Sequence, residues 1–148
     1  MQIITIFVAK FYAKIFFKGV IMERFHISID SKYSELWRYN IIVMSSVSVD
    51  DKEVEFLKCR SEVAPIGSSL TSAPLGYNPN RRIEIEHKPA THLTLYIYVL
   101  TNTYPYSLDI VDTPPFELRV EVSYGTERRY AHTFEIDQWS GANIILNL

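Results

Sequence analysis

From Phe25 onward, apolar and polar residues alternate almost one by one. Phe25, Ile27 and Ile29 alternate with His26, Ser28 and Asp30, which puts three apolar side chains on one face of an extended segment. Residues 40–49, NIIVMSSVSV, are rich in β-branched and small side chains, with Val43, Val47 and Val49 on one parity, and predict a second strand. Asp50, Asp51 and Lys52 supply a polar turn. Val54 and Phe56 then alternate with Glu53 and Glu55 as far as Cys59, so these two segments read as a hairpin.

The same period returns later in the chain. Ile83 and Ile85 alternate with Arg82, Glu84 and Glu86, and Leu93, Leu95, Ile97 and Val99 alternate with Thr94, Tyr96, Tyr98 and Leu100. Because it is apolar on both parities, the second of these segments is expected to lie centrally in its sheet, with Tyr96 and Tyr98 either covered or displayed as an aromatic strip. Phe116, Leu118, Val120 and Val122 lead through a turn at Tyr124–Glu127 to Tyr130, Phe134 and Ile136, the clearest hairpin in the sequence. After a turn at Gln138–Gly141, Ile144, Leu146 and Leu148 form a closing strand.

Counted this way there are about eight strands, with no helical pattern after Met22 beyond one turn around Tyr33 to Arg38. Strands without crossover helices pack as two layers or close into a barrel. The expected fold is therefore all-β: an antiparallel β-sandwich of seven or eight strands with C2-like, transthyretin-like or jelly-roll topology. An antibody-type sandwich is disfavoured, since paired cysteines around a core tryptophan are missing.

Two stretches break the pattern. Residues 1–21 contain no acidic residue and carry Lys10, Lys14 and Lys18 at helical spacing, with Phe7 and Phe11 among the apolar positions. They read as an N-terminal amphipathic helix that contacts a membrane surface or a partner, or as a core helix, or as a start-site extension ahead of a domain that begins at Met22. The lysines within the apolar run argue against a membrane span, and no small-residue cleavage site marks a signal peptide. Residues 61–80, with Pro65, Pro74, Pro79, Gly67 and Gly76, form a long loop, a class of connection that is often functional. Leu75 and Tyr77 are its candidate contact residues.

Composition narrows the function classes. The chain has 148 residues, enough for one domain (22–148), and 15 basic against 17 acidic residues give a net charge of −2, without the basic excess of a non-specific nucleic-acid binder. The basic pairs Arg81-Arg82 and Arg128-Arg129 have acids beside them. A single cysteine, Cys59, favours a reducing, cytoplasmic compartment. Five unclustered glycines supply no phosphate cradle, and neither the G-x-S-x-G nor the H-E-x-x-H pattern occurs.

The remaining chemistry is weak. His87 and His92 flank a bend at Pro89 and could share a metal only with help from elsewhere; a surface position beside the turn is the simpler expectation. His132 shares parity with Phe134 and Ile136 and is expected in the core. Asp50, Asp51, Asp109 and Asp112 would have to gather at one end to bind calcium as C2-like loops do. Aromatic display carries more: Tyr104 and Tyr106 follow the strand bearing Tyr96 and Tyr98, and Trp37 and Trp139 sit at strand-to-turn boundaries, where rings contact proteins or stack on sugars. The expected function is a non-catalytic protein-interaction module, a subunit or accessory of a larger assembly that works through a protein partner or self-association, with no cofactor or metal. The alternative is a small-ligand module for carbohydrate, or for calcium and lipid.

Overall fold

The structure is a computed structural model and describes residues 15–17 and 20–148. Its strands are β1 (Ile15–Phe17), β2 (Val20–Met22), β3 (Phe25–Asp30), β4 (Tyr39–Val49), β5 (Lys52–Ser61), β6 (Arg82–Glu86), β7 (His92–Thr101), β8 (Phe116–Tyr124), β9 (Glu127–Ile136) and β10 (Ala142–Asn147). β1 pairs only with β2, and the other eight form two antiparallel sheets, β10-β7-β4-β5 and β6-β3-β8-β9. The fold is the expected β-sandwich, and β7 is central, as its two apolar parities require.

One parity of each strand faces the interior. Phe25, Ile27 and Ile29 of β3 and Leu118, Val120 and Val122 of β8 bury against Ile41, Val43 and Val47 of β4 and Leu93, Leu95, Ile97 and Val99 of β7. Each removes apolar surface from water at about 25 cal/mol per Å².

Two expectations are corrected. The N-terminal segment is strand, not helix, where it is described, since Ile15–Phe17 pairs with Val20–Met22; Phe7, Phe11, Lys10, Lys14 and Lys18 lie outside the described residues. His132 is exposed rather than core. It does stand opposite the buried Val120, but β9 is an edge strand whose inward face is covered only in part: Ile136 is buried, while Tyr130 and Phe134 beside His132 are only partly buried against the core.

The strand directions sort the connections into two kinds. Register pairs Tyr39 with Thr101, Asp30 with Arg82 and Arg119, and Phe116 with Ile136. Segments 31–38, 62–81, 102–115 and 137–141 therefore all emerge at one end of the sandwich, the loop end. The turns at 50–51 and 125–126 and the short crossover 87–91 lie at the other. The 50–51 turn has left-handed backbone at both Asp50 (φ 50°) and Asp51 (φ 63°), as a type I′ hairpin demands. Glycine carries no side-chain penalty in that conformation, so Asp51→Gly should stabilise the domain by about 0.5 kcal/mol. A urea midpoint that falls instead would contradict this account of the turn.

Candidate contact surface at the loop end

At the loop end the chain crosses between sheets four times, through segments 31–38, 62–81, 102–115 and 137–141. Their backbone groups need partners wherever water is excluded. Two buried asparagines supply many of them. Asn40 accepts at Oδ1 from Val63 N (2.8 Å) and donates to Ala64 O (2.7 Å). The Asn102 amide donates to Trp37 O (3.0 Å) and to Asn40 Oδ1 (3.1 Å), and its backbone oxygen accepts from Gly67 N and Ser68 N. The start of 62–81 is thus tied to the ends of β4 and β7. Arg81 closes the same segment from its far side, donating to Ser61 Oγ, Ser61 O and Leu36 O. Arg81, of the basic pair Arg81-Arg82, is thus a clamp.

The 137–141 turn is held as firmly. Tyr39, fully buried, donates its hydroxyl to Gln138 O (2.7 Å), and Gln138 donates to Pro114 O (2.6 Å). Backbone bonds from Ser140 and Trp139 hold the Asp137 carboxyl below the usual carboxylate range. Gly141, at φ +68°, lies against β7 so closely that a Cβ would come 2.0 Å from Val99 O. Beneath these turns Tyr33 stacks on Phe116 at 4.6 Å, and Tyr39 tilts against the same ring at 4.7 Å.

Apolar side chains stand out from this pinned base. In 102–115, Leu108 is 88%, Ile110 83% and Val111 82% exposed, beside exposed Tyr104 and Tyr106. They belong to or flank a short 3-10 turn (Ile110–Asp112) whose start is capped by Asp109 accepting from Val111 N. The cap fixes the backbone while leaving the apolar groups in water, which is costly without a function. Ile66 and Leu75 of 62–81 are exposed at the same end. Neither Leu108, Ile110, Val111 nor Ile66 was among the expected contact residues. For Leu108, Ile110 and Val111 the signal was there: three large apolar residues around Asp109, in a stretch too short to alternate as a strand, between Pro105 and Pro114.

The expected contact residues divide. Tyr104 and Trp139 stack at 5.4 Å, and Tyr106 and Leu75 are exposed. Tyr77 is half-buried beside Arg81 in a shallow cleft. Tyr96 and Tyr98 are half-buried on the outer face of the sheet, away from the loop-end cluster. Trp37 is a correction: it is buried in the 3-10 turn Leu36–Arg38, because that turn folds back onto the end of the core, so its ring is not displayed.

His87 is a second correction, since it is fully buried rather than a surface residue. Its Nδ1 lies 2.9 Å from Glu55 Oε1 and its Nε2 2.7 Å from Ser45 Oγ. The carboxylate can only accept, so Nδ1 carries the proton and Nε2 accepts from the Ser45 hydroxyl. The parts resemble a hydrolytic relay, but Ser45 is only 1% exposed on the inner face of β4, where no substrate reaches it. What the array does is clasp the 87–91 crossover to β4 and β5, helped by Lys88 N donating to Glu55.

His92 is exposed on the neighbouring strand, with Thr91 as its partner, so it does not converge with His87. Among the described residues no group of three His, Cys, Asp or Glu side chains could hold a metal ion. The aspartates of the calcium reading are parted: Asp50 and Asp51 lie at the turn end and Asp109 and Asp112 at the loop end, because β4 runs the length of the sandwich between its ends. Arg82, Arg128 and Arg129 pair with Glu84, Glu121 and Glu127. No helix among the described residues is long and apolar enough to cross a membrane.

No family model matches the chain, and no curated protein is similar to it. A DUF4425 family protein from Bacteroides ovatus is similar in structure over 84% of this chain and 91% of its own, at 7% identity and a TM-score of 0.44. A likeness of that degree says nothing about function.

Two outcomes follow from the geometry. Burial pulls the His87 imidazole below its ordinary 6.5, against the upward pull of Glu55. Burial pushes the Glu55 carboxyl up, but bonds from Lys88 and His87 outweigh it and leave it below 4.5. Both groups then bind protons less readily folded than unfolded. His87's share of stability is complete above 6.5 and lost as pH falls from there through its lower folded value, while Glu55's is lost in the acid range below 4.5. Urea midpoints should therefore drop between pH 7 and pH 5, and His87→Gln should flatten that slope; an unchanged slope would remove the clasp from this role. Gly141→Ala meets both a left-handed backbone and the Val99 carbonyl, and should cost about 2–3 kcal/mol in thermal unfolding.

Proposed function

We propose that the protein is a non-catalytic interaction module, a cytoplasmic subunit or accessory of a larger assembly, whose contact surface is the loop end of the sandwich. The observation that carries this is the exposure of Leu108, Ile110 and Val111 on a capped, hydrogen-bonded turn beside Tyr104 and Tyr106. Apolar side chains held outward on fixed backbone lose little freedom on docking, which favours binding. The fitting partner is a protein with an apolar groove, and Asp109 and Asp112 within the turn favour a basic rim. Residues 1–21, with Lys10, Lys14 and Lys18, would add a peripheral membrane contact in this scheme.

A second reading, binding of a small ligand such as a carbohydrate, is favoured by a cleft of about 510 Å³ at the same end, lined by Asp30, Lys32, Tyr33, Phe116, Arg119 and Gln138. It mixes ring edges with hydrogen-bonding groups, as sugar sites do.

The doubly substituted Leu108→Asp, Val111→Asp chain separates the two. Both side chains are solvated, so stability should change by no more than about 0.5 kcal/mol, while the partner retained by the unaltered protein from its native source should be lost. Retention of the same partner by the double variant would remove the loop end from the contact. Calorimetric titration with a glycan panel tests the second reading, and a flat response across the panel counts against it.

A further inference from the structure

The four edge strands of the sandwich differ in one respect. β5 carries Lys52, Glu53, Glu55, Lys58 and Arg60; β6 carries Arg82, Glu84 and Glu86; β9 carries Glu127, Arg128, Arg129 and Glu135. Charged side chains and the bulges of the β4–β5 and β8–β9 pairs blunt these edges against another strand. β10, Ala142–Asn147, has the sequence ANIILN and no charge at all. Among the described residues it pairs only with β7.

Its backbone polarity is legible from one pair. Leu93 and Leu148 donate to each other's carbonyls at 2.8 and 2.9 Å. By the two-residue period, Leu146, Ile144 and Ala142 bond to β7, while Asn143, Ile145 and Asn147 direct their N–H and C=O groups to the open edge. Ile145 is 59% exposed on the outer face.

The residues Asn143-Ile144-Ile145-Leu146-Asn147 read nearly the same in both directions, and a two-fold axis pairs a strand with its own reverse. We propose that β10 is a self-association edge: two copies of this chain pair their β10 strands antiparallel about an axis at Ile145 and join the two sheets into one. In that register Ile145 faces Ile145 of the second copy, Asn143 faces Asn147, and Ile144 faces Leu146. Every outward backbone group of Asn143, Ile145 and Asn147 gains a partner, and like meets like on both faces. The outer face supports the same register. Met44 stands beside Tyr96 and Tyr96 beside Ile145, so pairing at Ile145 makes an unbroken apolar row across both molecules.

The test is sedimentation or light scattering of the full chain from micromolar to millimolar concentration, with cross-linking to fix the register. A concentration-dependent dimer is expected, and Ile145→Lys, which sets two ammonium groups opposite each other, should weaken it at least about tenfold. In a Cys59→Ser background, Asn143→Cys mixed with Asn147→Cys should form a disulfide dimer, since paired Cα atoms lie about 5.5 Å apart. Neither variant should cross-link with itself. A chain that stays monomeric, a dimer indifferent to Ile145→Lys, or self-linked Asn143→Cys would each overturn the proposal. Should Ile145→Lys fail to fold, the cysteine pair still decides.

Discussion

Two sheets can share a dry interior only if every strand turns alternate side chains the same way, and this constraint sets the rest of the molecule. Ile27, Val43, Leu95, Ile97, Leu118 and Val120 sit almost wholly out of water on that shared interface. Antiparallel pairing within each sheet sets the strand directions, and the chain must cross between layers wherever consecutive strands lie in different sheets. Four of its five crossings leave from one end. The loop end is a by-product of how the core is threaded.

Stacking four connections over one end creates a polar problem, because loops carry backbone groups that strand ladders do not satisfy. Asn40, Asn102, Gln138 and Arg81 answer it with side-chain bonds into neighbouring segments. That network gives the exposed apolar residues a fixed support. Beneath it Tyr33, Tyr39 and Phe116 pack on one another. Leu108, Ile110 and Val111 stand outside it, exposed to solvent on one turn, and the proposed contact function rests on that exposure.

The outer edges show the same economy of means. Charges sit along three of them, and bulges bend the local pairing at two, β5 and β9. The remaining edge is uncharged and close to palindromic, a pattern that matters only because the sheet order places that strand outermost.

Alternation along the chain determined the all-β class, the eight strands of the two layers, their hairpins and the central place of the Leu93–Val99 segment, since side-chain direction repeats every two residues regardless of what lies nearby. Alternation reports a face but not a depth, so His132 reads as core although its strand is at an edge, and Trp37 reads as displayed although its turn folds under. His87 shows the limit most plainly: a bend at Pro89 looks like surface, and only the closing of the crossover against Ser45 and Glu55 buries the ring. Which aspartates, rings and apolar tips meet was decided by strand order and crossing direction, because those bring together residues far apart in the chain and leave no local trace in the order of amino acids.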